Sequence, residues 1–314
     1  MNNIIEERVV IGGETNIGAT ISYSDKSKKR PLILLIMGTG KTDRDGNMKG
    51  FKTDIYKNLS DMFVKFGYVC VRYDKRGTYA STGNYNTSGL SDLVNDSARV
   101  IEYIKGLDFI DENKIVACGH SEGSMIATLL TKQIKLNRII LLGGACMCMR
   151  SALMYQNTKT IQEFKNKKGL LAWYINKVVK NETIEKRVKS MFDKAKTAKK
   201  DRYFFNGAFL NTKWMKEHGD LTDDEFVKMI ADYDGKVLAI TGTADLSADY
   251  TYLDKISEFE NVTTYTPENV NHILREVDDN NSYLTIKKQY KRLSQQLIHA
   301  GTKEQIHDFL EKEW

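Results

Sequence analysis

Short, nearly continuous apolar runs alternate along the chain with longer stretches in which apolar positions recur every three or four residues. Leu32 to Met37, Tyr68 to Tyr73, Lys114 to Cys118, Arg138 to Leu142, Val237 to Thr241 and Val262 to Tyr265 are the short runs. They are rich in β-branched residues and lack an outward polar face, as expected of strands buried on both sides. Ahead of them, Glu7 to Ile11 and Ile17 to Tyr23 predict an antiparallel pair joined by a Gly-Gly turn. Asp54 to Phe66, Leu90 to Lys105 and Ser124 to Ile134 carry helical periodicity. Strand and helix in alternation predict an α/β chain: a mostly parallel, eight-stranded sheet flanked by helices.

From Met149 to Tyr233 this rhythm breaks. The stretch is Lys-rich, mostly helical in pattern, and carries Trp173, Tyr174, Phe204, Phe205 and Trp214. It predicts a helical cap (lid), residues 149–233, inserted between two late strands of one core domain made of 1–148 and 234–314. Its aromatic residues are expected to pack the cap onto the sheet, and some to line an acyl pocket.

Composition changes this picture little. Hydrophobic residues at 41% and charged residues at 28% are ordinary for a globular protein. The charge is uneven, however. Residues 159 to 202 hold 14 Lys and Arg against 5 Asp and Glu, a balance of +9 within a chain of +6, so the remainder carries −3. Such a face is normally just solvated, and attraction of anionic substrates or membrane surfaces is the sharper reading. No nucleic-acid-binding module accompanies it. No apolar run is long enough to span a membrane, and the N-terminus lacks a secretory pattern, so a soluble cytoplasmic protein is expected. Cys70 and Cys118 lie in strand runs as small hydrophobic filler. Cys146 and Cys148 have no second ligand pair at metal-binding spacing, so no metal is expected. The oligomeric state is left open.

The chemistry begins at Gly119-His120-Ser121-Glu122-Gly123, between a predicted strand and a predicted helix. A sharp turn there holds a serine in a strained conformation with Oγ projecting from the sheet edge. Glycines two before and two after let the turn close. A serine hydroxyl needs a base to take its proton, and an imidazole base needs a carboxylate to orient it. In this arrangement acid and then histidine follow the serine, each after a later strand. Asp245, after Val237 to Thr241, is the candidate acid, with Asp249 one turn further on as competitor. Of the five histidines only His272 follows the last strand on a loop. His120 belongs to the elbow, His218 to the cap, and His299 and His307 to the C-terminal helical region.

A developing oxyanion needs two backbone N–H donors. Glu122, after the serine, and Thr39, in the loop Gly38-Thr39-Gly40, are the candidates. Gly40-Lys41-Thr42 also looks like the end of a phosphate-binding loop, but position 35 is Leu where that motif needs glycine. Asp43-Arg44-Asp45-Gly46-Asn47 is turn chemistry rather than a helix start, and lacks the spacing of a calcium loop.

Four segments together resemble a bacterial α/β-hydrolase family of esterases, acyl hydrolases and prolyl-oligopeptidase-like serine hydrolases. These are Met37 to Asn47, Arg72-Tyr-Asp-Lys-Arg-Gly77, Gly119 to Gly123 and Asn271-His272. The resemblance implies the α/β-hydrolase fold and a Ser121–His272–Asp245 triad. Met37, Thr39 and Lys41 depart from the family's Pro- or His-Gly-Ser-Gly-Pro loop. By the same resemblance Arg72 to Gly77 is a structural strand-to-loop element near the site, in which Asp74 and Arg76 make a buried or loop-fixing ion pair rather than perform chemistry.

The expected activity is hydrolysis of carboxylic esters of small or medium acyl groups, with no cofactor and a small-molecule ester as the partner. A peptidase, thioesterase or acyltransferase with the same triad, and a catalytically silent binding protein, are the alternatives.

Overall fold

The computed structural model describes residues 3–167, 169, 181–277 and 281–314. Eight strands form one sheet. They are β1 (Ile5–Ile11), β2 (Ile17–Tyr23), β3 (Arg30–Ile36), β4 (Val69–Tyr73), β5 (Ile110–His120), β6 (Arg138–Leu142), β9 (Lys236–Ile240) and β10 (Val262–Tyr265). Their order is β1-β2-β4-β3-β5-β6-β9-β10. The β1–β2 and β2–β4 pairs are antiparallel and the rest of the sheet is parallel. This is the α/β-hydrolase fold, as the sequence predicts.

Each parallel strand feeds two cores because alternate side chains leave opposite faces. Leu32, Leu34 and Ile36 of β3 pack with Val100 and Ile101 of α2 (Leu90–Lys105) and Ile126 of α3 (Glu122–Leu130). Ile33 and Leu35 join Leu59 and Phe63 of α1 (Ile55–Lys65) on the other face. The closing helices α8 (Ile286–Leu293) and α9 (Ala300–Glu311) cover that second face. Buried Arg138, at the start of β6, ties the chain's end to the sheet. Its Nη1 donates to the carbonyls of Phe309 and Leu310, and its Nη2 to those of Lys312 and Glu313.

Between β6 and β9 lie α4 (Met149–Asn166), α5 (Asn181–Thr197), α6 (Thr212–Gly219) and α7 (Asp223–Ala231). A third core built from Met149, Ile184, Val188, Phe192 and Met215 joins them to Met125 of α3. The segment also departs from its helical pattern. Arg202–Phe205 (β7) and Ala208–Asn211 (β8) form an antiparallel hairpin. Asn206 and Gly207, with φ of 45° and 88°, supply the two left-handed residues that a two-residue hairpin turn requires. That Asn-Gly signal is plain in the chain but is masked by the surrounding lysines. Of the aromatic residues singled out there, Phe204 is exposed, and Phe205 and Trp214 are half-buried. Trp173 and Tyr174 lie outside the described residues. Among the described residues no helix is long and apolar enough to cross a membrane. All four cysteines are buried and free.

Candidate active site

Ser121 sits between the end of β5 and the start of α3 with φ 58° and ψ −123°, a conformation costly for any residue with a Cβ. The neighbours over-determine it. A Cβ on Gly119 would lie 2.0 Å from the Gly123 carbonyl oxygen, and one on Gly123 would lie 2.1 Å from that of Ile36. On Gly38 it would meet the Ser121 Cβ at 2.8 Å, so β3's loop lies directly against the serine. The Ser121 N–H donates to the Leu142 carbonyl at 2.8 Å, pinning the turn to β6.

The loops after β9 and β10 bring in the other two candidates. Asp245 is buried. Its Oδ1 accepts the N–H groups of Ser247 (2.7 Å) and Ala248 (2.9 Å). Its Oδ2 lies 2.7 Å from His272 Nδ1. An ionised carboxylate only accepts, so Nδ1 carries the proton and Nε2 is left as a base. Asp249 instead caps its own turn through the Thr251 N–H, and drops out as a partner for His272. Gly143 makes room for the pair: at φ 60°, a Cβ there would stand 3.0 Å from both Asp245 Oδ2 and His272 Nδ1. Ser121 and His272 line the same cavity of about 290 Å³.

The other histidines are accounted for locally. His299 accepts the Thr302 N–H as a helix cap, and His307 packs edge-on against Phe66. His120 has a part that the motif does not reveal. Its Nε2 donates to the main-chain carbonyl of His272 at 2.8 Å, and its Nδ1 lies 3.1 Å from the Tyr56 hydroxyl. That hydroxyl in turn accepts the Gly38 N–H at 2.8 Å. Burial and the nearby His272 lower the His120 pKa to about 3, so the ring stays neutral and can play donor and acceptor at once.

The oxyanion candidates flank the serine. Gly38 N–H is engaged by Tyr56 and Gly40 N–H by Tyr85 Oη at 3.1 Å. Among the described residues no acceptor is paired with the N–H of Thr39 or of Glu122. The loop beyond them is turn chemistry, as predicted: Asp43 Oδ1 accepts the N–H groups of Asp45 and Asn47. Arg72 clamps it from below through Asp45 at 2.6 Å.

Asp74 and Arg76 do not make one ion pair as expected; each has its own distant partner. Asp74 holds Arg44 at 2.6 Å and Arg76 holds Asp96 at 2.7 Å. Between them Lys75 points into the molecule. It donates to the Gly38 carbonyl and lies 3.3 Å from Glu122 Oε2. Glu122 Oε1 also accepts from Trp214 Nε1 (2.5 Å) and lies 3.0 Å from His218 Nε2, both on α6. Burial raises the Glu122 pKa, but Lys75, His218 and Trp214 outweigh it and hold the carboxyl at about 2. Lys75, His218 and Trp214 escape sequence reasoning because nothing local marks a meeting across 47 to 96 positions.

Phe51, Ile55, Leu153, Trp214 and Tyr290 give the cavity an apolar wall. A second hollow of about 30 Å³ also borders Ser121, lined by Met125, Met147, Ala152 and Ala248. The larger depression at the opposite sheet edge, about 490 Å³ around Arg138 and Lys236, shares no residue with the candidate site.

The chain superposes on an esterase, Est1E of Butyrivibrio proteoclasticus, solved with ferulic acid. The TM-score is 0.57 at 16% identity, over 92% of this chain and 99% of that one. An esterase of Pyrococcus furiosus matches with a TM-score of 0.59 at 12% identity, over 98% of this chain and 91% of that one. A proline iminopeptidase of Mycobacterium smegmatis matches with a TM-score of 0.59 at 11% identity, over 98% of each chain. At such identities these likenesses speak for the fold. No curated protein sequence matches the chain. The family model described as serine aminopeptidase, S33, matches residues 50–253, well over half of the sequence. This protein therefore belongs to that family of α/β hydrolases.

Proposed function

We propose that the protein hydrolyses carboxylic esters through an acyl-enzyme on Ser121. The observation that carries this reading is the 2.7 Å bond between Asp245 and His272 beside a strained serine in one shared cavity. Ser121 Oγ attacks the ester carbonyl as His272 Nε2 takes its proton, and Asp245 steadies the imidazolium. The N–H groups of Thr39 and Glu122 stabilise the oxyanion. The alcohol leaves with the proton from His272. Water, deprotonated by the same imidazole, then releases the acid.

The family and the neighbours include peptidases, so an aminopeptidase is the competing reading. Such an enzyme must seat its substrate's ammonium against a carboxylate. No Asp or Glu lines the 290 Å³ cavity among the described residues. Glu122, which borders the smaller hollow, is already engaged by Lys75, His218 and Trp214. An uncharged ester suits this wall better. The unequal hollows favour one bulky apolar side and one short side. Met149, Leu153, Gln156 and Trp214 bring the segment between β6 and β9 to the wall, and we assign residues 149–233 the role of cap.

The test is a panel of p-nitrophenyl esters beside aminoacyl p-nitroanilides. Ester turnover that falls by about 10⁴-fold or more in Ser121→Ala is expected. Anilide cleavage that exceeds ester cleavage would overturn the substrate class, and full activity in Ser121→Ala the mechanism.

A further inference from the structure

Lys75 is a buried cation that the triad does not use. Its side chain is only 3% exposed, and its Nζ reaches the Gly38 carbonyl, the Gly40 carbonyl at 3.5 Å and the Glu122 carboxylate. We propose that Lys75 is a positioning residue that aims and polarises the Thr39 oxyanion donor and ties it to the segment carrying the Glu122 donor, an inference that rests on the mechanism above.

The geometry follows from the peptide unit. In a planar trans peptide the C=O and N–H of one unit point in opposite directions. The Gly38 carbonyl and the Thr39 N–H belong to the same unit. Holding that carbonyl on Lys75 therefore turns the Thr39 N–H away from Lys75, and Thr39 borders both hollows beside Ser121. Drawing electron density onto the carbonyl oxygen also leaves the N–H more positive, since hydrogen bonds in a chain polarise one another. The second donor is tied in as well. Glu122 supplies its N–H at the start of α3, and its own carboxylate is the countercharge to Lys75. One ammonium thus touches both segments that would hold the oxyanion. Trp214 and His218 anchor the other carboxylate oxygen, which links the arrangement to α6.

A structural role alone would have Lys75 merely neutralise Glu122. Lys75→Met and the double variant Lys75→Met/Glu122→Gln separate the two roles, because the double variant removes the stranded charge without restoring the lost donor. Ester kcat and KM, melting temperature, and inhibition by a trifluoromethyl ketone, whose serine adduct carries an oxyanion, are the readouts. The double variant is expected to melt above the single one, yet to keep a kcat about 10²-fold below wild type with KM little changed. Its affinity for the trifluoromethyl ketone should fall by the same factor. A folded double variant with wild-type kcat and inhibitor affinity would overturn the inference. Labelling by a fluorophosphonate, lost in Ser121→Ala, checks the underlying mechanism separately. If wild type takes no label and turns over no ester, both proposals fall together; a labelled wild type beside an unimpaired double variant brings down only Lys75.

Discussion

The residue before the candidate nucleophile holds the loop of the candidate base: His120 Nε2 donates to the His272 carbonyl at 2.8 Å, across 152 positions of sequence. The elbow and the base loop therefore cannot shift independently. Because the His120 pKa is lowered from 6.5 to about 3, the unfolded chain takes up a proton first as acid is added. Stability from the neutral ring is complete above about pH 6.5 and is lost as pH falls towards about 3. His120→Gln, which keeps a side-chain donor but cannot titrate, should show a shallower fall of melting temperature between pH 7 and about pH 4. Parallel curves for the two proteins would refute this account of the ring.

Asp245→Asn should lower kcat by about 10⁴-fold while leaving the fold intact, because the amide favours the wrong imidazole tautomer. Asp249→Asn, which alters only a turn cap, should stay within a few-fold of wild type. Equal losses in steady-state assays of the two variants would count against Asp245 as the acid.

Gly143→Ala tests the space around the pair. A left-handed alanine costs about 1–2 kcal/mol, a modest loss of melting temperature. Its methyl group would also press on both Asp245 Oδ2 and His272 Nδ1 at 3.0 Å. The fall in kcat should therefore exceed what reduced stability explains, and a folded variant with unchanged kcat would contradict that geometry.

Leu153→Trp should narrow the 290 Å³ cavity from the α4 side. Across p-nitrophenyl esters of graded acyl length, kcat/KM for long chains should fall about tenfold or more relative to acetate. An unchanged profile would place the long chain elsewhere.

Much of this could be read in the chain itself. Strands such as Leu32 to Met37 and Arg138 to Leu142 are legible because burial on both faces leaves an unbroken apolar run. Ser121 is legible because its constraint is local, two glycines within two residues. His272 needed only chain order. Lys75 was hidden because Asp74 and Arg76, charged neighbours in the same motif, are no less conspicuous, and only the folded backbone decides which of the three turns inward. Nothing in the elbow motif distinguishes a role for the Glu122 side chain from that of its N–H. The hairpin at 202–211 lies beneath a charge pattern that reads as helix.

Arg138 makes the polypeptide's tail a solvent for a cation. Four carbonyls from the final turn and just beyond replace the water that this guanidinium gives up. Trimming the last few residues would strand it at the root of β6, so a deletion near position 312 would act as an interior lesion rather than a surface one.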